Sequence, residues 1–423
     1  MSAIASSVAS GLSLAPFRAL RPAVDGDRLG RLLCPPYDVI DEPERERMLE
    51  TDPDNAVGII LPRGEGGADA YSVAARRLDG AVASGLYAVD PDPALYVYEM
   101  HPQDGVPTRG LLGAIELRDP SDGVILPHEN TMPGPLADRL ALMTATQADV
   151  EPIYLVYDGG QATSQLVSDV DATRPLAAST TPDGVRHRLW RLADPEQHAA
   201  VAADLRSRHA LIADGHHRYA TYLRLQHDLR EQHGPGPWDR GLALLVDSSS
   251  YGPQVEAIHR VLVGLPLPVA VERAREACTV RQMASTTQAL DELSRTPGFA
   301  AVLTDGAATF LLSDLDSQLA EAALAPGEPR ALAELDVTVL HRVLITRLWQ
   351  LDDTVEAVGF AHSVEEAIAE ADRSRGTAVL LRPTPAAAVA AVAAAGGRMP
   401  RKSTLFTPKP ASGLVMRRFV DQT

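Results

Sequence analysis

Residues 211–219 read LIADGHHRY, and they run from an apolar segment through a glycine into two histidines, an arginine and a tyrosine. The apolar residues before Asp214 predict a buried strand, and aromatic and leucine residues recur at helical spacing after Gly215. We therefore expect a strand, a tight turn and a helix in that order. The first turn of a helix exposes unpaired N–H groups and a partial positive charge, so this turn is a candidate anion site.

The side chains of this turn fit a phosphate, since Gly215 allows one to approach the backbone closely. Around that anion, His216, His217 and Arg218 add directed donors. Two roles fit Asp214, namely capping the helix and binding Mg²⁺ while it orients the accepting group. Alternatively, Asp214 only caps the helix and the histidines pack or face solvent, but two histidines and an arginine are costly where only a cap is needed. With either role, we expect Arg218→Ala to leave the stability of the ligand-free protein almost unchanged.

A second candidate site lies in the proline-bounded stretch PHENTMPGPLADR. His128 and Glu129 can act as an acid/base pair on a loop that prolines keep ordered. Asp138 and Arg139 follow one turn into a helix that starts near the prolines. Alternatively, the loop is tied down by its own ion pairs. We expect Glu129 and Asp214 to converge on one pocket, because each segment alone offers half of a phosphoryl-transfer site.

Further basic residues come from the stretch MPRKSTLFTPKPASG near the C-terminus. Lys402 and Lys409 resemble the cations of a phosphate-binding loop in type, although the GxxxxGK[ST] pattern is absent. We expect this stretch to pack against the N-terminal portion and to add a lysine to the anion site, and the alternative is a surface turn. The pair His259 and Arg260 is a further candidate, although such a dipeptide is usually a surface feature.

The 423 residues, 45% of them hydrophobic, are enough for two or three cores. Two apolar runs around HPQDGVPTRG predict a hairpin, and strands and helices alternate after residue 355. The proline-interrupted run GLPLPVAV is the predicted domain boundary, which gives an N-terminal region 1–265 and a C-terminal domain 266–423. A helix is predicted over 337–349. The expected fold class is α+β.

Charge and cysteine content exclude several classes of partner. The net charge of −17 repels polyphosphate, so nucleic acid is not expected as a partner. Cys34 and Cys278 are too few for a disulfide scaffold and form no CxxC pattern, which favours the reducing cytoplasm. The first 20 residues lack the charged start and apolar core of a signal peptide, and no apolar run is long enough for a membrane span. We therefore expect a cytoplasmic protein without membrane contact.

Five motifs together resemble one protein family. They are FRALRP, CPPYDVI, HENTMPGPLADR, IADGHHRYAT and MPRKSTLFTPKPASGL, and they span nearly the whole chain. On these motifs the chain is identified as a member of the bacterial and archaeal domain-of-unknown-function family one thousand and fifteen. That resemblance implies kinship and no particular activity.

The motif IADGHHRYAT is also similar to the phosphate-binding motif of the ParB/sulfiredoxin superfamily. That superfamily includes CTP-hydrolysing DNA partition proteins, ATP-using sulfiredoxins and free-serine kinases. The similarity implies a mixed-sheet ParB/sulfiredoxin-like core followed by a C-terminal α/β domain, with the phosphates of ATP or ADP on residues 215–218 and Mg²⁺ on Asp214. The acidic net charge argues against DNA partition, and no reactive cysteine lies near the motif, so the small-molecule kinase is the nearest branch.

The resemblance therefore implies a nucleotide-dependent small-molecule phosphotransferase, similar to a free-serine kinase, whose partners are a nucleotide and a small substrate. In that mechanism Glu129 or Asp214 accepts the substrate proton or binds Mg²⁺, and Arg139 balances charge on the transferring group. His217 is a further catalytic candidate. Two alternatives stay open. One is a phosphatase acting on a metabolite such as phosphoserine, although DxDxT-type paired aspartates are absent, and the other is a nucleotide sensor, which needs no acid/base group.

Overall fold

The computed structural model describes residues 11–422, and the chain folds into two compact units. The second unit consists of His128–Asn130 and Gln254–Thr407, and the rest of the described chain forms the first unit. Residues 1–10, which begin the stretch considered above for a signal peptide, lie outside the described residues.

The boundary between the units differs from the predicted break after residue 265. The chain enters the second unit after Pro253 and returns to the first unit at Pro408. The proline-interrupted run GLPLPVAV is not a linker, because it connects a strand and a helix that both belong to the second unit. Proline in a short strand-to-helix connection gives the same local pattern as proline in a linker.

The strands are short and rich in apolar residues, as the sequence pattern predicts. In chain order they are β1 (Leu14–Ala15), β2 (Leu20–Pro22), β3 (Tyr87–Val89), β4 (Leu95–His101), β5 (Thr108–Glu116), β6 (Ile125–Leu126), β7 (Ala148–Asp149), β8 (Ile153–Tyr157), β9 (Ala177–Thr180), β10 (Arg186–Leu192), β11 (Ala210–Asp214), β12 (Arg240–Asp247), β13 (Gln254–Glu256), β14 (His259–Leu262), β15 (Thr279–Met283), β16 (Ala301–Thr304), β17 (Thr309–Ser313), β18 (Val358–Ala361), β19 (Thr377–Leu380), β20 (Leu405–Thr407) and β21 (Arg417–Arg418).

Several helices begin after an aspartate or serine whose side chain accepts a hydrogen bond from the first turn, among them Asp41 and Ser363. In chain order the α-helices are α1 (Gly26–Leu32), α2 (Glu42–Thr51), α3 (Val57–Ile60), α4 (Ala70–Ala83), α5 (Pro133–Thr146), α6 (Gln161–Asp169), α7 (Pro195–Leu205), α8 (His216–His233), α9 (Ser248–Tyr251), α10 (Leu267–Ala274), α11 (Thr286–Arg295), α12 (Ser317–Glu321), α13 (Asp336–Val339), α14 (Val364–Ser374) and α15 (Ala386–Ala394). Within residues 11–422, none of the helices has the length and apolar character that a membrane span requires.

The first unit is built on a mixed nine-stranded sheet in the order β6-β11-β8-β12-β5-β4-β10-β9, with β1 beside β5. β12 runs parallel to β8 and antiparallel to β5, whereas β11 lies between β6 and β8. The predicted hairpin is confirmed, because β4 and β5 pair in antiparallel register. Tyr219 and Tyr222 of α8 belong to the same apolar core as Ile153 and Leu155 of β8. α8 is therefore anchored to the sheet, and its first turn follows directly after β11.

The second unit contains a six-stranded antiparallel sheet in the order β15-β17-β16-β19-β14-β18. β18 and β19 both pair antiparallel with β14, so they run parallel to each other on its two sides, and α14 connects them. The alternation of strands and helices predicted after residue 355 is confirmed by this crossover. With a mixed sheet in the first unit and helices in both, the expected mixed α and β class is also confirmed.

The helix predicted over 337–349 has an unusual second half. α13 is followed by a π-helix at Leu340–Leu348, and the N–H of Trp349 donates to the carbonyl of Leu344 at 2.7 Å. The hydroxyl of Thr346 donates to the carbonyl of His341, five residues earlier, at 2.8 Å. Periodicity predicts a helix here but does not distinguish the wider turn, and π-helical turns recur at functional sites.

Candidate functional site

The turn between β11 and α8 has the predicted strand-turn-helix form. β11 ends at Asp214, α8 begins at His216, and Gly215 between them has φ +95°, a left-handed conformation that favours glycine. A β-carbon at Gly215 would lie 3.1 Å from Nε of Arg218, so the arginine side chain folds back over this glycine. The guanidinium of Arg218 therefore lies close to the backbone of Gly215 and leaves little room for a side chain at this position.

Asp214 does not cap α8, since Gly215 occupies the cap position and no side chain bonds the first turn there. Two cations bind its carboxylate instead. Lys409 Nζ lies 2.6 Å from Oδ1, and Arg218 Nη2 donates to Oδ2. Burial alone raises the pKa of Asp214, but the charges of Lys409 and Arg218 outweigh burial and hold that pKa well below its usual range. Asp214 is therefore ionised at physiological pH and is a weak proton acceptor.

Arg218 is buried, with 4% of its surface exposed. Besides Asp214, it contacts the carbonyl of Pro152, to which Nη1 donates. Its Nε has no hydrogen-bond partner among the described residues. The expectation that Arg218→Ala leaves stability almost unchanged is therefore wrong on physical grounds, because the side chain is buried and makes two hydrogen bonds.

Tyr154 adds a second buried donor beside Asp214. A bulge in β11 between Ile212 and Asp214 places Asp214 opposite Tyr154 of β8. Burial raises the pKa of Tyr154 well above its usual value, and the negative charge of Asp214 raises it further. The hydroxyl is buried and, like Nε of Arg218, has no hydrogen-bond partner within the described chain. A buried donor without a partner costs about 1–3 kcal/mol, so an acceptor that reached these two groups would recover that free energy.

Lys409 reaches this turn from the C-terminal segment. Its Nζ lies 3.3 Å from Oδ2 of Asp38 as well as 2.6 Å from Asp214, so one ammonium group bridges two carboxylates. Burial alone lowers the pKa of Lys409, but Asp214 and Asp38 outweigh burial and raise that pKa above its usual range. We refer to Asp214, Arg218, Lys409, Asp38 and Tyr154 as the Asp214 cluster.

The prediction that the loop from Lys402 to Lys409 packs against the N-terminal portion holds only from Pro408 onward, because the loop before Pro408 belongs to the second unit. Cys34 and Ser412 exchange backbone hydrogen bonds of 3.2 and 2.8 Å. This pairing holds Lys409 beside the turn after β11. Lys402, the other lysine of the predicted loop, belongs to the second unit.

Glu151 extends the network, and it was not a candidate from the sequence. It is buried and accepts hydrogen bonds of 3.1 Å from the hydroxyl of Ser412 and from the N–H of Tyr37. Arg139 Nη1 lies 3.4 Å from Oε2 of Glu151. The only signal in the sequence was an acidic residue placed directly before the apolar run PIYLVY.

Arg139 bonds protein groups through all three guanidinium nitrogens. Nε and Nη2 donate to Asp138 at 2.8 and 2.5 Å, and Nη1 donates to the carbonyl of Ile60 at 2.7 Å. The guanidinium also lies 4.1 Å from the ring centroid of Tyr37, and Tyr71 donates to Asp138 at 2.9 Å. Arg139 and Asp138 thus connect the middle of α5 with α3 and α4, and a contact between Arg139 and a phosphate stays a prediction.

His217 and His216 open α8. Nε2 of His217 accepts a hydrogen bond from the N–H of Met132 at 3.0 Å, so this nitrogen carries no proton. Burial lowers the pKa of His217, although the charge of Asp38 opposes the shift, and the ring is neutral at pH 7. His216 is buried within electrostatic range of Asp214. Phosphate contacts of His216 and a catalytic role of His217 stay predictions.

His128 and Glu129 belong to the second unit and contact the loop before β20. Nε2 of the buried His128 lies 2.9 Å from Oγ1 of Thr404. Oε1 of Glu129 accepts a hydrogen bond from the N–H of Ser403 at 3.1 Å. The convergence of Glu129 and Asp214 on one pocket stays a prediction, since the two residues belong to different units.

His259 and Arg260 are buried in the second unit, so the alternative of a surface dipeptide is wrong, and a functional role of the pair stays a prediction. Arg260 Nε donates to Nε2 of His341 at 2.9 Å. Its Nη1 donates to the carbonyl of Ile258 at 2.7 Å, and its Nη2 to that of Lys402 at 2.9 Å. Burial lowers the pKa of Arg260 to about 9. Long-range packing of β14 against the loop before β20 produces this burial, which a local sequence pattern does not show.

Several solved structures resemble this chain at low identity. A free serine kinase mutant in complex with ADP is 16% identical with a TM-score of 0.35, and the match covers 67% of this chain and 84% of that chain. SbnI with a C-terminal truncation, from Staphylococcus aureus, is 12% identical with a TM-score of 0.35, over 71% of this chain and 85% of that chain. A conserved hypothetical protein from Pyrococcus furiosus is 15% identical with a TM-score of 0.35, over 71% and 94% of the two chains. Similarities this low carry no argument about function.

No curated protein matches this chain. A family model described as protein of unknown function, DUF1015, matches residues 14–338. The matched region contains Glu129, the turn at Asp214 and Arg260, and it ends before the two lysines. Because this model covers more than half of the sequence, the chain belongs to the DUF1015 family of proteins of unknown function, as its motifs predict.

Proposed function

We propose that the chain is a nucleotide-dependent phosphotransferase acting on a small molecule, and that the Asp214 cluster holds the phosphates. The observation that carries this proposal is a pair of buried donors without partners in the described chain, Arg218 Nε and the Tyr154 hydroxyl, beside an ionised carboxylate. Phosphate oxygens are strong acceptors and satisfy such donors on binding. The first turn of α8, which no side chain caps, adds a partial positive charge at the same place.

Mg²⁺ fits this cluster as the partner of ATP or ADP. Arg218 and Lys409 are balanced by Asp214 and Asp38 without a ligand, so a nucleotide needs a further cation to neutralise its phosphates. Asp38 and Asp214 would hold that ion, because Mg²⁺ prefers oxygen ligands and usually takes one or two carboxylates together with substrate phosphates. Within residues 11–422 no group of three or more metal-ligating side chains occurs, so the phosphates would complete the coordination.

Glu129 stays the predicted acceptor of the substrate proton. Asp214 is too acidic for that role, and Nε2 of His217 already accepts a hydrogen bond from the backbone. The carboxylate of Glu129 is oriented by the N–H of Ser403 through one oxygen. A carboxylate suits the removal of a proton from a small hydroxyl substrate such as serine.

A nucleotide sensor is the second candidate, and one observation favours it. Both aspartates of the Asp214 cluster are paired with cations, so the cluster by itself contains no carboxylate suited to proton transfer. Turnover of ATP by wild type and its loss in Glu129→Gln, with ADP affinity retained, would support the phosphotransferase. Binding of ATP without turnover of any small hydroxyl substrate would support the sensor.

Calorimetric titration of ATP with Mg²⁺ tests the phosphate site itself. Lys409→Met deletes a charge-assisted contact of about 1.5–3 kcal/mol and is expected to weaken binding roughly tenfold or more. Arg224→Met is the matched control, since it removes one positive charge from an exposed position of α8 and should leave the affinity unchanged. Equal affinities of Lys409→Met and wild type would contradict the proposal.

A further inference from the structure

The first unit contains a cavity of about 570 Å³ that reaches the Asp214 cluster. α2, the connection between β9 and β10, and the segment from Pro408 contribute to its wall. The apolar residues of the wall include Leu33, Cys34, Met48, Pro182, Val185 and Ala411. A concave, mainly apolar site of this size is typical of small-molecule pockets.

Lys409 connects the cavity with the Asp214 cluster. Its side chain lines the cavity, and its Nζ contacts Asp214 at 2.6 Å and Asp38 at 3.3 Å. A ligand in the cavity that carries an anionic group therefore meets the cluster at this end. Among the described residues, Lys409 is the member of the Asp214 cluster that lines the cavity.

The buried polar groups of the wall already have partners within the protein. Nδ1 of His187 lies 2.8 Å from the hydroxyl of Tyr98, and its Nε2 lies 3.1 Å from Oγ1 of Thr181. Nδ2 of Asn55 donates to the carbonyls of Arg31 and Leu33 at 2.7 and 3.0 Å. These groups stabilise the wall, which also contains the charged side chains of Arg31, Glu44, Arg47 and Asp183.

We infer that this cavity receives the base of the nucleotide whose phosphates lie on the Asp214 cluster, an inference that rests on the function proposed above. A heterocyclic base presents two apolar faces, which the side chains of Met48 and Leu33 can contact. His187 and Asn55 already have partners within the protein, so contacts with the donors and acceptors on the edge of a base are left to the charged side chains of the wall.

Filling the cavity tests the inference. Thr51 is exposed at the end of α2 and belongs to the wall, whereas Glu50 is the neighbouring exposed residue and lies outside it. ATP and tripolyphosphate, each with Mg²⁺, are titrated into wild type, Thr51→Trp and Glu50→Trp. Thr51→Trp should weaken ATP roughly tenfold or more and leave tripolyphosphate unchanged, and Glu50→Trp should change neither affinity.

The outcomes separate the inference from the proposed function. Unchanged ATP affinity in Thr51→Trp overturns the inference and leaves the proposed function in place, and equal losses for both ligands also overturn it. If wild type binds neither ligand, the proposed function fails and the inference fails with it. A competition experiment on wild type tests the inference without a substitution: adenosine should compete with ATP but not with tripolyphosphate. Absence of competition with ATP would overturn the inference.

Discussion

Each unit buries an arginine that directly follows a histidine, and the two arginines bond different kinds of partner. Arg218, after His217, donates to the carboxylate of Asp214 and to one carbonyl, and its Nε has no partner in the described chain. Arg260, after His259, donates through all three nitrogens to a histidine ring and to backbone carbonyls. The arginine of this dipeptide therefore has one nitrogen without a partner in the first unit, whereas all three of its nitrogens have partners in the second.

This difference separates an arginine that anchors a loop from one that can hold a ligand. Carbonyl groups belong to the backbone, and exchanging them for a ligand requires the chain to move. A carboxylate shared by Arg218 and Lys409 can release one cation to an anion while it keeps the other. The bonding partners, and not the dipeptide, identify the candidate site.

The largest effect is expected from Arg260→Met. This change leaves the carbonyl of Ile258 and a ring nitrogen of His341 without their donor in a buried place, and the partly buried carbonyl of Lys402 also loses its donor. Each buried group left unsatisfied costs about 1–3 kcal/mol, so we expect the free energy of unfolding of the second unit to fall by about 3–5 kcal/mol, measured by urea denaturation. Arg373→Met, at an exposed position of α14, is the control and should change stability by no more than about 0.5 kcal/mol. A similarly small change in Arg260→Met would remove the contrast between the two arginines.

Low pH should lower the stability of each unit, because each contains a buried neutral histidine. Burial lowers the pKa of His187 and of His259 from 6.5 to about 4. Between pH 6.5 and about 4, each of these histidines binds a proton in the unfolded chain but not in the folded chain. The free energy of unfolding is therefore undiminished above pH 6.5 and falls as the pH decreases toward 4. For His187 the loss is at most about 3 kcal/mol. Unfolding measured near neutral pH and at about pH 4.5 should show a smaller loss in His187→Gln than in wild type, and an equal loss would contradict the assignment.

Arg218→Met should have a smaller effect on stability than Arg260→Met. The carbonyl of Pro152 loses its donor, but Asp214 keeps Lys409, so the expected cost is about 1–3 kcal/mol. Thermal or urea unfolding of the ligand-free protein measures it, with Arg224→Met as the exposed control on the same helix. A cost as large as that of Arg260→Met would show that Arg218 is also mainly an anchor.

Local features of the fold followed from the sequence. The change from an apolar run to helical spacing around Gly215 predicted the strand, turn and helix, and the runs around HPQDGVPTRG predicted the β4–β5 hairpin. These features depend on neighbouring residues only. Periodicity also located a helix before Trp349, although it did not distinguish the π-helical turn.

Features set by long-range packing did not follow from the sequence. Lys409 meets Asp214 across 195 positions, and composition predicted a lysine at the site without identifying its carboxylate partners. The burial of Arg218 and Arg260 depends on strands and loops distant in the chain, so both were interpreted as more exposed than they are. Glu151 was missed because a single acidic residue before a strand has no distinctive pattern.

Tyr154→Phe tests the anion site most directly, because it removes one unpartnered hydroxyl and keeps the ring. We expect the ligand-free variant to be more stable by about 1 kcal/mol, because the unpaired buried hydroxyl lowers the stability of the wild type. We also expect it to bind ATP with Mg²⁺ several-fold more weakly, because this hydroxyl would donate a hydrogen bond to the phosphate. Tyr98→Phe is the control, because that hydroxyl bonds His187 and the N–H of Ala411 and its loss should lower stability. Lower stability of Tyr154→Phe, or unchanged ATP affinity, would contradict an anion site at the Asp214 cluster.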